Sequence, residues 1–158
     1  MQRFTHTFQL ETITRPDNAA VAFFGAYVGP AFDLLYGPGR ISVILALYVV
    51  ILLDWVTGIA AARRDESYHS DYGISGVFRT IFILAFPALA NVLDHAMGTP
   101  GLLFYAVTFG LIYHTYVSLT ANAARAGWSK YIPQAVLRFV TSEIKAKADR
   151  AARRKEGL

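Results

Sequence analysis

Residues 41–62 read ISVILALYVVILLDWVTGIAAA, and this stretch decides the fold. Between Ile41 and Leu53 no residue is charged, and apolar side chains point to every face of a helical projection. A helix buried in a water-soluble domain carries one apolar stripe and a polar back, and this one has no such back. About 20 mainly apolar residues are needed to cross roughly 30 Å of hydrocarbon, and residues 41–62 meet that length, interrupted only by Asp54. Working outward, two more stretches qualify. One runs from about Ser75 to Met97, with Arg79 near its start and Asp94 near its end; the other runs from Gly101 to Ala124 and is uncharged throughout. The chain of 158 residues is 54% apolar and 16% charged, with a mean hydropathy of +0.37, values that fit a small membrane protein better than a soluble domain.

The rest of the chain falls into two flanking units. Residues 1–40 hold a polar start (1–16) and an apolar stretch from Asp17 to Arg40. Asp17 or Asn18 can cap a helix there. Gly25 and Gly29 form a GxxxG close-packing pattern, while Pro30 and Asp33 are expected to break it. The favoured reading is an amphipathic helix at the membrane interface, with a re-entrant element or fourth span as the alternative. Residues 125–158 follow the three-span core at 41–124. In that tail Gly127 ends a helix, Pro133 opens another, and Val136, Leu137, Val140 and Ile144 recur at helical spacing through Ile132–Lys155. Arg138, Lys145, Lys147 and Arg150 take its polar side, which reads as a basic amphipathic helix on a membrane surface. The fold class expected is therefore an all-α membrane protein: three transmembrane helices, an N-terminal amphipathic or re-entrant helix and a C-terminal basic amphipathic helix.

The first connection, Arg63–Ile74, is short and charged, and the second, Gly98–Gly101, has no lysine or arginine. Residues 125–158 carry nine of the fifteen lysines and arginines. The positive-inside rule then puts the first connection and the tail in the cytoplasm and the 98–101 turn outside. The start of the chain does not read as a signal peptide, because acids and polar residues stand where an apolar core is required.

Within the spans the polar residues are the candidates for function. A carboxylate at a helix centre costs about 2.5–3.5 kcal/mol on insertion scales, so Asp54 must face protein or water. Arg79 is its best partner across the hairpin, the alternative being that Arg79 snorkels and Asp54 pairs between subunits. Asp94, at the outer end of its span, is expected to be solvated. Pro87 is expected to kink the second span. Thr108, Thr115, Ser118, Asn122 and Arg125 recur at spacings of seven, three, four and three, one face of the third span. That face is read either as glue between helices or as the lining of a pore built from several copies. Gly58 is marked for helix packing.

Enzymatic chemistry has no foothold. The absence of cysteine removes thiolate sites, and His6, His69, His95 and His114 show no ligand spacing. No HExxH, GxSxG or Gly-rich phosphate loop occurs, so neither a catalytic residue, a metal site nor a cofactor is expected. Nucleic-acid binding by the basic tail is not expected either, since its apolar face must be buried.

The fragment Asp54-Trp-Val-Thr-Gly-Ile-Ala-Ala-Ala62 resembles the end of the first span in the toxin-secretion/phage-lysis holin family. Ser67, Ser70, Gly73, Gly76 and Arg79 resemble that family's connection into the second span. Asp94 matches its Leu-Asp pair, and Ser118, Asn122, Gly127 and Pro133 resemble the pattern after the third. Together these cover about residues 41–135. Where the family often carries acids, this chain has Thr115 and Ala121, so no role tied to those acids is carried over. The resemblance implies a small multi-pass protein of the bacterial inner membrane, of phage or prophage origin. Its partners would be the lipid bilayer and further copies of itself, with an antiholin as a possible regulator. Its oligomeric lesions would release an endolysin, or in some cases a toxin, as cargo and collapse the membrane potential. A small ion channel or transporter and a non-pore scaffold are the alternative readings.

Overall fold

The structure is a computed structural model that describes residues 16–68 and 71–155. The polar start expected over 1–16 lies outside these residues except for Pro16, as does Ser70 of the resemblance. Helix α2 (Ile41–Arg64) follows from the uncharged run. In hydrocarbon every backbone group must be satisfied within the segment, so an apolar run of this length has no alternative to a helix. Burial then selects one stripe from its uniform surface: Ile44, Leu47, Ile51, Asp54 and Ala61 turn inward, while Leu45, Tyr48, Leu52 and Val56 remain exposed. Helix α3 (Asp71–Met97) returns antiparallel, and α4 (Leu102–Ala123) crosses again. All three helices are long and apolar enough to cross a membrane. The core lies chiefly between α2 and α4, where Phe104 and Thr108 of α4 are fully buried.

Several boundaries differ from expectation, each for a local reason. The connection expected at Arg63–Ile74 is shorter, since α2 continues to Arg64 and α3 begins at Asp71. The chain turns at Glu66 (φ 56°), and Ser67 N–H closes on the Ala62 carbonyl at 2.9 Å. Pro87 is fully buried inside α3, which is helical from Asp71 to Met97 on both sides of it. Helix α1 (Pro16–Tyr36) runs straight through Pro30 and Asp33, where a break was expected. Proline forfeits one backbone bond, and a helix can absorb that loss in the middle of its length. Asp17 and Asn18 sit in the first turn of α1 and not ahead of it as caps. The helix is also less amphipathic than expected: Val21 and Val28 lie on one side, Phe23, Tyr27 and Leu34 on another, and all five are exposed.

After α4 the chain does not continue as one helix to Lys155. A wide turn (Ala124–Trp128) ends at Gly127, whose φ of 88° reverses the path. A tight turn (Ser129–Tyr131) leads to Pro133, then to α5 (Gln134–Phe139) and α6 (Thr141–Lys155). Val140 separates these two, with a non-helical backbone (φ −100°, ψ 10°) and a side chain only 1% exposed. The break at Val140 turns the single tail helix of the sequence reading into two.

Candidate functional site

Asp54 lies on the inward stripe of α2 and is 2% exposed. Its Oδ2 accepts from Arg79 Nη2 of α3 at 2.6 Å, and its Oδ1 accepts from Ser118 Oγ at 2.7 Å and Asn122 Nδ2 at 2.8 Å, both on α4. One carboxylate therefore joins all three spans. Ser118 and Asn122 sit four apart on one helix face, so both reach the same oxygen. Gly58, one turn beyond Asp54, makes room for this: a Cβ there would stand 3.3 Å from Asn122 Nδ2. Arg79 has 52% of its side chain exposed, so its stem runs along the bundle surface while its head reaches the carboxylate. The pair with Asp54 is the one formed within the chain, and not the alternative in which Arg79 snorkels and Asp54 pairs between subunits.

The fifth member comes from the tail. Lys147 of α6, placed by the sequence reading on the solvated face, turns inward. Its ammonium donates to Ser118 Oγ at 2.7 Å, to the Ser118 carbonyl at 3.0 Å and to Asn122 Oδ1 at 2.8 Å. Ser118 and Asn122 thus each bridge Lys147 to Asp54: the hydroxyl accepts from the amine and donates to the carboxylate, and the amide does the same with its two ends. Burial pushes the Lys147 pKa down to about 8, against the pull of Asp54 and Glu143, which raises it. The helical spacing of Val140 and Ile144 with Lys147 was the available signal, since all three share one face. A lysine in a basic tail is otherwise indistinguishable from its exposed neighbours.

The polar stripe of α4 is consumed inside the chain. Thr108 and Thr115 are buried, and Thr108 Oγ1 returns its proton to the Phe104 carbonyl at 2.6 Å. The stripe faces α2, and the expectation that this face lines an assembly does not describe the single chain: polar groups facing lipid would be unsatisfied, whereas here Ser118 and Asn122 are paired with Asp54 and Thr108 with its own helix. Arg125, the stripe's last member, leaves it to form a forked contact with Asp65 at 2.5 and 3.1 Å, tying the end of α4 to the end of α2. Trp55 Nε1 donates to Thr80 Oγ1 at 3.1 Å, with the indole lying against Gly76, where a Cβ would crowd it at 3.1 Å.

A second cluster stands at the opposite end. Asp94, expected to be solvated, is 2% exposed. Its carboxylate accepts from the backbone N–H of Leu103 at 3.0 Å and of Phe104 at 2.8 Å, and from the Thr99 hydroxyl. The last turn of α3 thus caps the first turn of α4, where an anion also meets the positive end of the helix. Arg40 and Asn91, which the sequence reading did not mark, cap α1. Arg40 Nη1 donates to the Tyr36 carbonyl at 3.0 Å and to Asn91 Oδ1 at 2.8 Å, and Asn91 Nδ2 donates to the Leu35 carbonyl at 3.1 Å. The guanidinium lies over the Phe104 ring at 4.4 Å. Gly101 (φ 99°) admits it, for a Cβ there would stand 2.6 Å from Arg40 Nη2. Gly25 and Gly29, expected to pack a helix, have nothing within 4 Å of a Cβ position; their close-packing role has no counterpart among the described residues.

No solved structure matches the chain. It is 29% identical over 114 residues to an uncharacterized protein of Halalkalibacterium halodurans, covering 69% of this chain and 84% of that protein. An uncharacterized protein of Listeria innocua is 28% identical over 99 residues, covering 63% of this chain and 70% of its own length. One of Listeria monocytogenes is 28% identical over 105 residues, covering 66% and 71%. The model of the bacteriophage holin family matches residues 33–143, from the last turn of α1 to the first turn of α6, and so contains Asp54, Arg79, Asp94, Ser118 and Asn122. With its three apolar helices and this match over most of its length, the chain is a membrane-spanning member of the bacteriophage holin family.

Proposed function

We propose that this protein accumulates in the bacterial inner membrane and then assembles with copies of itself into lesions. These dissipate the membrane potential and let an endolysin, or a toxin, reach the cell wall. The observation that carries the reading, beside family membership, is how polarity is distributed. The bundle turns Asp54, Thr108, Thr115 and Asn122 inward, while Phe78, Ile81, Phe82, Leu89 and Val92 of α3 stay exposed. Three helices cannot enclose a wide channel, so a lesion needs several copies and a rearrangement that exposes groups now paired inside each one. The carboxylate junction of Asp54 is the place where such a rearrangement starts. The contact of Arg125 with Asp65 puts the α2–α3 connection and the basic tail at one end. We assign that end to the cytoplasm and the 37–40 and 98–101 turns to the outside. An antiholin partner would act on the same rearrangement.

Induced expression in bacteria is expected to abolish the membrane potential abruptly after a lag, and a co-expressed endolysin is then expected to lyse the cells. An intact potential at high membrane levels of the protein would overturn the reading. Ion-selective currents without passage of folded protein would assign it to a channel instead.

A further inference from the structure

Lys147 is a half-buried titratable group that lies outside the residues matched by the holin family. It is also the contact through which α6 reaches the polar junction of the spans. We infer that α6 is an intramolecular strap: Lys147 holds it across the inner end of α4 and keeps the bundle in its unassembled form. The inference deepens the proposed lesion-forming function and rests on it for its consequence, though not for the strap itself.

The physical case begins with the acceptors. The Ser118 carbonyl, Ser118 Oγ and Asn122 Oδ1 all receive protons from one ammonium. If α6 leaves, Ser118 Oγ and Asn122 Oδ1 lose this donor at the level of a membrane span, while the Ser118 carbonyl keeps its place in the helical ladder of α4. Unsatisfied acceptors in hydrocarbon cost several kcal/mol each, so they must draw in water or donors from a second copy. Release of the strap therefore creates the wetting and self-association that the closed bundle suppresses. The contact is also finely balanced. Three charge-assisted bonds favour it, while burial of the ammonium opposes it, as the lowered pKa of Lys147 records. Apolar burial adds little beyond Val140 and Ala151, since α6 is otherwise mostly exposed. The non-helical backbone at Val140 supplies the joint about which α6 can leave without unfolding α5.

The test uses the full chain in bacterial membranes at matched expression, with three variants. Lys147→Met keeps the length and removes the donors; Lys147→Arg keeps the charge. Lys145→Met removes the same tail charge from an exposed neighbour. Two readouts are taken: amide hydrogen exchange across residues 141–155 before depolarisation, and the lag from induction to loss of membrane potential. Lys147→Met is expected to raise exchange in α6 about tenfold, equivalent to about 1.4 kcal/mol, and to shorten the lag. Lys147→Arg is expected to lie between it and the native chain, and Lys145→Met to match the native chain in both. If Lys147→Met matches Lys145→Met, or inserts normally and lengthens the lag, the strap is overturned. If the native chain itself never depolarises the membrane, the lesion reading fails; the exchange readout then decides the strap alone, and equal exchange in Lys147→Met and native chain overturns it.

Discussion

The two polar clusters of this bundle sit at opposite ends and are built on different principles. At the 98–101 end, Asp94, Arg40 and Asn91 spend most of their hydrogen bonds on backbone groups, closing the ends of α1 and α4. These partners are fixed by the helices themselves and have no alternative position. At the other end, Asp54, Arg79, Ser118, Asn122 and Lys147 bond almost wholly side chain to side chain, across four helices. Side chains can exchange partners while the helices stay intact. The outer cluster therefore specifies architecture, and the inner one can hold a state that changes.

The comparison can be broken most sharply at Asp54. Asp54→Asn removes the anion facing Arg79 and puts an amide donor among donors. Thermal unfolding in detergent is expected to fall by about 3 kcal/mol, the low end for a broken buried pair because Arg79 is half exposed. Depolarisation is expected to be lost while the protein still inserts; an unchanged lag would show the charge to be dispensable. At the other end, Asp94→Ala strands the N–H groups of Leu103 and Phe104. It is expected to cost about 1–2 kcal/mol in the same unfolding measurement. The lag, compared at equal amounts of folded protein, should not change, and a changed lag would end the distinction between the clusters.

Arg125→Gln removes the contact with Asp65 at the membrane edge, a smaller effect of about 0.5–1 kcal/mol in unfolding. The last effect is one of direction. The Lys147 pKa is about 8 when docked and 10.5 when free, so the released state binds more protons between these values. Docking of α6 is thus expected to strengthen as pH rises from about 8 to 10.5, and to be flat below about 8. The chain has no cysteine, so a single spin label at Ala148→Cys reports it: the mobile fraction should fall across that window. A rise would contradict the burial of the amine.

Much of this molecule was legible in its sequence because hydrocarbon leaves a chain few options. Residues 41–62 hold too few polar side chains to satisfy a backbone outside a helix, so span and length followed from composition alone. The spacing of Thr108, Thr115, Ser118 and Asn122 identified one face of α4, and a buried carboxylate had to be paired, which made Asp54 and Arg79 candidates together. What composition could not reach was choice among equals. Every face of α2 is apolar, and only packing against α4 selected the stripe from Ile44 to Ala61. Asp94 looked like a solvated charge until the turn at 98–101 folded the start of α4 onto it. Lys147 is one of nine basic residues in the tail, and only its helical spacing from Val140 and Ile144 sets it apart. Its place depends on the direction in which Gly127 and Val140 aim α6, a long-range consequence of two backbone bends. The sequence by itself determined a three-span membrane protein with a charged residue that had to find partners. Only the tertiary structure decided which partners, because hydrogen bonds between distant side chains exist only once the helices are placed.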